Sequence, residues 1–207
     1  MNKLATLPLH ELLTRVAAAT PTPGGGTVTA ITGALGAALA EMVASLPRTR
    51  HNSLDERQAL DLVLPALATA RARLEKLADL DADAFDRLLQ RFRLPKGTDE
   101  QEAVRRAAIV EATKDATLVP LETARVCADV LKLMETVAGA GNPAAGSDLF
   151  VAIGLTRASA EGAAANVRAN LETLDDAAFA LASTRRISAT LDDVLHSAHA
   201  AIGALQG

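Results

Sequence analysis

The sequence contains neither tryptophan nor tyrosine, and four phenylalanines bring its aromatic content to only 2%. Proteins that bind single-stranded nucleic acids stack the bases on aromatic side chains, so this scarcity argues against that class. The single cysteine, Cys127, excludes an intrachain disulfide and a cysteine-based zinc site, and it fits a reducing compartment. The net charge of −4 argues against the broad basic surface of a DNA- or RNA-binding protein.

Signals for export and for membrane insertion are weak as well. The first ten residues lack the basic start and the following apolar run of a secretory signal. One apolar stretch, 27–46, is about long enough to cross a bilayer, but it contains Glu41 and many weakly apolar alanines. We therefore expect a cytoplasmic protein that binds neither membranes nor nucleic acids.

Alanine and leucine dominate the composition, with about 45 and about 30 of the 207 residues. This favours helices over strands, which prefer β-branched and aromatic residues. Turn signals are sparse, and between them the apolar residues recur every three or four positions, which is the helical period. We predict an all-α, antiparallel up-and-down bundle of about six long helices that forms a single domain over residues 1–207.

Several helix boundaries can be predicted. Thr27 is expected to cap the second helix, in which large apolar residues form one stripe and glycines and alanines allow a close helix neighbour. The third helix is predicted over about 54–92, with a kink at Pro65, and the fourth from a capping box at Thr98 to about 137, kinked or split at Pro120. The fifth is predicted from 147 or 148 to about 174, and a helical hairpin from 175 to the end. The stripe of the second helix consists of Val28, Ile31, Leu35, Leu39, Met42 and Leu46.

Two aspartates occupy unexpected places on the predicted helices. Asp81 interrupts the apolar stripe of the third helix, where it is either paired inside the core, exposed in a cleft, or merely solvated at a frayed stretch. Asp148 heads a small, amide-bearing face of the fifth helix that also carries Asn166. It either lines a polar pocket or, together with Ser147, simply caps the helix.

A glycine-rich run, residues 21–26, precedes the second helix. Its free backbone and the unpaired amides of the helix N-terminus can bind a carboxylate or a phosphate, or the run can simply be a tight turn. It is not a P-loop, because no Lys-Ser/Thr pair follows and no strand precedes it.

Basic residues cluster at 48–51 and at 91–106, where most are expected to be solvated and a few can hold an anionic tail. The histidines show no metal-binding spacing, so no metal site is predicted.

Taken together, several short segments resemble the cyclodeaminase/cyclohydrolase family of folate enzymes. They follow the family's order over about residues 10–175. After the second helix the chain departs from the pattern, since residues 45–51 replace an expected Asn-Leu-Thr and lysine-rich stretch. The matching segments are Pro21-Thr22-Pro23-Gly24-Gly25-Gly26, Asp81-Ala82-Asp83-Ala84-Phe85, Leu94-Pro95-Lys96-Gly97-Thr98, Val119-Pro120-Leu121, Gly141-Asn142, Ser147-Asp148-Leu149 and Asn166-Val167-Arg168-Ala169-Asn170-Leu171.

The resemblance implies an all-helical homodimer that acts on a tetrahydrofolate derivative and holds no tightly bound cofactor. One reaction of the family is hydrolysis of 5,10-methenyltetrahydrofolate to 10-formyltetrahydrofolate. The other is cyclisation of 5-formiminotetrahydrofolate to the methenyl form with loss of ammonia. Cyclohydrolase is the leading expectation, because the cyclodeaminase is often fused to a formiminotransferase domain. The alternatives are the cyclodeaminase, a non-catalytic folate-binding bundle and a purely structural helical module.

On this resemblance, Asp81 and Asp148 are predicted to be a catalytic pair that moves protons in a shared hollow beside the glycine-rich turn. Burial is expected to raise the pKa of one of them. Further residues are predicted to bind or orient the substrate: Pro23, Gly24, Gly25, Gly26, Lys96, Asn142 and Asn166.

Overall fold

The computed structural model describes residues 4–46 and 53–206, and these residues form helices and no strand. This confirms the predicted all-α class. The α-helices are α1 (Leu9–Val16), α2 (Gly25–Ser45), α3 (Leu54–Phe92), α4 (Asp99–Ala140), α5 (Gly146–Glu172) and α6 (Ala177–Gln206). Short 3₁₀ turns cover Leu4–Thr6 and Pro143–Ala145.

Helices α2 to α5 form the central bundle. Each packs against the next along the chain, α2 closes the ring against α5, and α6 packs against α4 and α5. The core is aliphatic, as the predicted α3 stripe requires, with Leu60, Leu67, Leu74 and Leu77 almost fully buried. At 39 and 42 residues, α3 and α4 are about 58 and 63 Å long. Their hairpin therefore extends beyond the shorter α2 and α5.

Helix α2 buries most of its small residues, whereas several of its large apolar residues are exposed. An added Cβ at Gly33 would lie 2.8 Å from Ser159 Oγ, and one at Gly36 would overlap Thr156 Oγ1, so α5 lies directly against this face. This confirms the predicted close approach. The predicted stripe of large residues is divided: Val28, Leu35 and Met42 are exposed, with Leu35 at 57%, while Ile31, Leu39 and Leu46 pack partly buried against the core. The reason is geometric, since two helix backbones approach closely only where their side chains are small.

Two predicted helix starts differ in detail. Helix α2 begins at Gly25 with Gly24 as its N-cap, so the prediction that Thr27 caps it is wrong. Thr98 does cap α4, because its hydroxyl oxygen accepts the N–H of Gln101 at 3.2 Å. The Gln101 side chain, however, accepts the N–H of Gly97 rather than that of Thr98, so this half of the predicted capping box is not formed.

Two predicted breaks between helices, a split at Pro120 and a C-terminal hairpin, are absent from the described residues. Helix α4 continues through the buried Pro120, although a proline inside a helix removes one backbone hydrogen bond. The C-terminal segment is one helix, Ala177–Gln206, and the predicted hairpin there is wrong. Residues 177–202 contain neither glycine nor proline, so nothing in them ends a helix.

Helix α2 is also the described helix that is long and apolar enough to cross a membrane by length and composition. In the structure 50% of its most apolar window is buried inside the bundle. Its apolar character therefore has a second explanation, namely packing against α3 and α5.

Candidate functional site

The first turn of α2 lies against the side chain of Asp81 from α3. The hydroxyl of Thr27 donates a hydrogen bond to Asp81 Oδ2 at 3.1 Å, and the backbone of Thr27 hydrogen-bonds the same carboxylate. Gly24, the N-cap residue, has no side chain with which to cap the helix. Asp81, which belongs to α3, thus accepts a hydrogen bond from the first turn of α2, as an N-cap side chain of α2 itself normally would.

Gly26 makes this contact possible. An added Cβ at Gly26 would overlap Asp81 Oδ1, so any other residue would push the carboxylate away from the helix start. The predicted role of this turn was to offer free amides to a substrate anion. The structure commits the Thr27 end of the turn to the protein's own carboxylate, and substrate binding by Gly24, Gly25 and Gly26 stays a prediction.

The environment of Asp81 disfavours its charged form. Burial raises the pKa of this carboxyl above its ordinary value, while the hydrogen bonds from Thr27 act in the opposite direction. The side chain is half-buried, so it keeps some access to solvent. A carboxyl with a raised pKa and solvent access can exchange a proton closer to neutral pH than an ordinary aspartate.

Asn166 lies beside the same turn. An added Cβ at Gly25 would be 3.5 Å from Asn166 Oδ1, and Asn166 Nδ2 donates to the carbonyl of Gly162 at 3.0 Å. Gly25 is exposed, whereas Pro23 is buried. The structure therefore brings together Asp81, the glycine-rich turn and Asn166 at one end of the bundle.

Asp148 lies at the other end. Helix α5 runs antiparallel to α2, since Asn166 faces Gly25 while Thr156 faces Gly36. Eighteen residues of α5 separate Asp148 from Asn166, which is about 27 Å. The expectation that Asp81 and Asp148 share one hollow within a chain is therefore wrong, because their helix positions place them at opposite ends of the bundle.

The two remaining predicted substrate-binding residues are also distant from Asp81. Asn142 lies at the Asp148 end, where its Oδ1 accepts the N–H of Ala144 at 3.0 Å and caps a 3₁₀ turn. Lys96 is exposed in the α3–α4 connection, beyond the end of α3. From Asp81 to that end at Phe92, α3 rises about 17 Å. The other predicted basic cluster, 48–51, lies outside the described residues.

The basic connection between α3 and α4 is ordered by Arg105. Its guanidinium donates to the carbonyl of Phe92 from Nε at 3.3 Å and from Nη2 at 3.2 Å. It also lies 6.0 Å from the centre of the Phe92 ring. These contacts hold the first turns of α4 against the end of α3 and leave Lys96 free to meet an anion.

A cavity of about 960 Å³ lies between the N-terminal segment and α3. The residues of α3 that line it lie on the opposite helix face from Asp81, whereas Thr22 and the predicted binding residue Pro23, from the glycine-rich run, line it as well. Four carboxylates line it against the two cations Arg15 and Lys76, which disfavours an anionic ligand. The carboxylates that line the cavity are Glu75, Asp79, Asp83 and Asp86.

Over residues 4–46 and 53–206 no group of three or more metal-binding side chains is assembled.

Comparisons with known proteins agree on one family. The model of the formiminotransferase-cyclodeaminase family matches residues 8–189. A protein named methenyltetrahydrofolate cyclohydrolase from Methylorubrum extorquens is 42% identical over 83% of each chain. The formimidoyltransferase-cyclodeaminase of Sus scrofa is 36% identical over 90% of this chain but only 34% of its own length. The crystal structure of formiminotetrahydrofolate cyclodeaminase from Thermotoga maritima superimposes with a TM-score of 0.86, covers 98% of this chain and 97% of its own, and is 28% identical.

Proposed function

Because the chain belongs to the formiminotransferase-cyclodeaminase family, we propose that it is a methenyltetrahydrofolate cyclohydrolase, which hydrolyses 5,10-methenyltetrahydrofolate to 10-formyltetrahydrofolate. The observation that carries the proposal is the half-buried Asp81 carboxylate, which Thr27 holds beside the exposed Gly25. The Methylorubrum relative matches over most of both chains and favours this reaction over the alternatives. A cytoplasmic location is part of the proposal.

The chemistry needs a group that accepts and returns a proton. Water adds to the methenyl carbon between N5 and N10, and Asp81 takes up the proton that the water loses. The tetrahedral adduct then breaks its bond to N5, which takes that proton from Asp81, while the hydroxyl group of the adduct loses its own proton to solvent. The carbonyl that forms leaves the formyl group on N10. General acid–base catalysis of this kind contributes about 10²–10⁴ in rate when the pKa lies near the working pH.

A second candidate is cyclodeamination of 5-formiminotetrahydrofolate. There N10 adds to the formimino carbon, and its proton passes through Asp81 to the imine nitrogen. That nitrogen takes a second proton from solvent and leaves as ammonia, which gives the methenyl cation. The Thermotoga structure, named as such an enzyme, covers nearly the whole chain, and this favours testing both reactions. Asp81 would serve the same proton-transfer role in each, since both pass through a tetrahedral carbon between two nitrogens.

The electrostatics orient the substrate. Folates carry an anionic tail, which the 960 Å³ cavity with its four carboxylates would repel. The exposed Lys96 and the neighbouring arginines lie near and beyond the end of α3, which is about 17 Å from Asp81 along that helix. We place the reacting ring system beside Asp81, Gly25 and Asn166, with the tail directed towards the α3–α4 connection.

The exposed stripe of α2 supports a homodimer. Leu35 is 57% exposed, and Val28 and Met42 flank it on the same face. A row of large apolar residues on a helix is stabilised when it is covered, and a second copy can cover it symmetrically. If the twofold axis passes near Leu35 and is perpendicular to α2, the two α2 helices run antiparallel. The Asp81 end of one copy then lies beside Asp148 of the partner subunit, which would restore the pair that is separated within one chain.

Turnover of the two folates by the purified protein tests the function. Loss of methenyltetrahydrofolate absorbance at a rate well above the spontaneous rate supports the cyclohydrolase. Formation of that absorbance with release of ammonia from 5-formiminotetrahydrofolate supports the cyclodeaminase. Tight binding without either turnover would identify a folate-binding protein, and neither binding nor turnover would overturn the folate assignment.

A further inference from the structure

Thr27 is buried completely, yet its hydroxyl is directed at the candidate catalytic carboxylate. Its Oγ1 lies 3.1 Å from Asp81 Oδ2 and 3.4 Å from the carbonyl oxygen of Ala78. A hydroxyl has one proton to donate. The nearer, charged acceptor makes the stronger hydrogen bond, so the carboxylate receives it when Asp81 is ionised.

We propose that Thr27 is a positioning residue: its hydroxyl and backbone N–H together hold the Asp81 carboxylate in the one orientation from which it transfers protons. The proposal rests on the function proposed above. Thr27 does not touch the expected place of the substrate, since it is 0% exposed. It acts on the reaction only through Asp81.

The geometry explains why this residue type suits the role. Thr27 is fully buried, and its hydroxyl reaches across to α3, where it bonds the Asp81 carboxylate. The missing side chain of Gly26 leaves the space into which Asp81 Oδ1 fits. The hydroxyl and the backbone N–H of Thr27, together with the close contact at Gly26, define the position of the Asp81 carboxylate without a charged partner.

The charged groups of the surrounding elements face away from Asp81. Residues 17–24 and the first sixteen residues of α2 contain none. On α3 itself, Asp79 accepts the N–H of Leu4 at 2.6 Å, and Asp83 lines the cavity on the opposite side. On α4, Lys114 pairs with Asp176 and Glu111 at the α6 side, and Asp115 is exposed. On α5, Arg168 and Glu172 are exposed. The titration of Asp81 therefore depends on burial and on Thr27.

The test compares Thr27→Val and Thr27→Ala, which remove the hydroxyl, with Thr27→Ser, which keeps it. A hydrogen bond to the ionised form lowers a pKa, so its removal should raise the pKa of Asp81 by about one unit. Two readouts are used, the pH dependence of turnover and the titration of the Asp81 carboxyl carbon by NMR, assigned with Asp81→Asn. Thr29→Val is the matched control, because the Thr29 hydroxyl bonds only the Gly26 carbonyl of its own helix, at 2.7 Å.

We expect Thr27→Val and Thr27→Ala to move both the carboxyl titration and the matching limb of the pH–rate profile upward by about one pH unit. Thr27→Ser and Thr29→Val should leave both near their wild-type positions. The proposal is overturned if the carboxyl titration does not move, or if it moves while the pH–rate limb stays. A wild-type protein that turns over neither folate refutes the proposed function instead, and the NMR titration still reports whether Thr27 holds Asp81.

Discussion

The Asp81 carboxylate occupies the space that a side chain at Gly26 would fill, at the first turn of a helix whose own N-cap residue has no side chain. One relationship therefore accounts for two features of the sequence. The third glycine of the turn is needed because an acid from α3 lies against it. The acid is tolerated in an apolar stripe because the amide and hydroxyl of Thr27 receive it.

Gly26→Ala should displace the carboxylate without unfolding the bundle, since a short side chain can rotate away. Turnover should fall by about 10²–10⁴, as for loss of a general acid–base group. Gly203→Ala is the matched control, because no neighbouring atom lies within 4 Å of an added Cβ there. It should keep full turnover and raise the free energy of unfolding by about 0.5–1 kcal/mol. Wild-type turnover of Gly26→Ala would show that the position of Asp81 does not matter.

Asp81→Asn should separate capping from proton transfer. Asparagine caps helix starts as well as aspartate does, so the helical content and the melting temperature should be retained. An amide cannot take up the proton, so turnover should fall by about 10²–10⁴. Asp83→Asn, on the opposite side of α3, is the control and should stay active. If Asp81→Asn turned over at the wild-type rate, Asp81 would be a cap only.

Asp81 should also make stability depend on pH with an unusual sign. Its pKa is raised in the folded state, so folding favours the protonated form, and this contribution is lost as pH rises through the folded pKa. At pH 7 Asp81→Asn should therefore be at least as stable as the wild type towards urea. The difference should shrink as pH falls towards the unfolded pKa of 3.8. If Asp81→Asn were less stable than the wild type at pH 7, the expected pH dependence of the free energy of unfolding would be contradicted.

Asp176 offers a comparison with the opposite sign. Its carboxylate lies 2.8 Å from Lys114 Nζ, and this contact lowers its pKa. The stabilisation is present above the unfolded pKa and is lost as pH falls through the folded pKa. Asp176→Asn keeps an acceptor for the N–H of Phe179. It should be less stable than the wild type at pH 7 and equal to it in acid, as measured by the same urea series.

Leu35→Glu should prevent association through α2. A charge in the centre of the apolar stripe cannot be buried against a second copy. Light scattering after size exclusion should show a dimer for the wild type and a monomer for this variant, with unchanged helical content. Val104→Glu is the matched control, because Val104 is similarly exposed, at 62%, on a different helix. A Leu35→Glu protein that stays dimeric would place the interface elsewhere.

Mixing two inactive variants tests whether the acids of different subunits cooperate. Asp81→Asn and Asp148→Asn should each be nearly inactive alone. After joint unfolding and refolding, half of the dimers are mixed, and each contains one site with both aspartates, so about a quarter of the wild-type activity should return. No recovery would show that Asp148 does not complete the site of its partner. Wild-type turnover by Asp148→Asn alone would remove it from the reaction.

The helices themselves could be predicted from local patterns, because helix formation depends on residues three and four apart. The bounds of α3, the cap at Thr98 and the buried leucines of α3 follow from spacing alone. The predicted C-terminal hairpin is wrong, and residues 177–202, which lack glycine and proline, give no local signal for its turn. The family could likewise be predicted, since its short motifs keep their order along the chain.

The site could be predicted only in part. Asp81 stands out in the sequence because a carboxylate interrupts an apolar stripe, and the glycine run stands out by composition. That the two touch depends on how α2 and α3 pack, which no local pattern specifies. Asp148 gives a similar signal in the sequence, but the antiparallel direction of α5 places it about 27 Å from Asn166.

The sequence by itself determined the helical class, most helix bounds, the family and the aspartates that stand out, because all of these depend on neighbouring residues or on motif order. Tertiary structure decided which face of α2 is buried and what the first turn of that helix binds. Both outcomes follow from close packing. Only the small face of α2 lets α5 approach, and only the gap at Gly26 admits the carboxylate of Asp81.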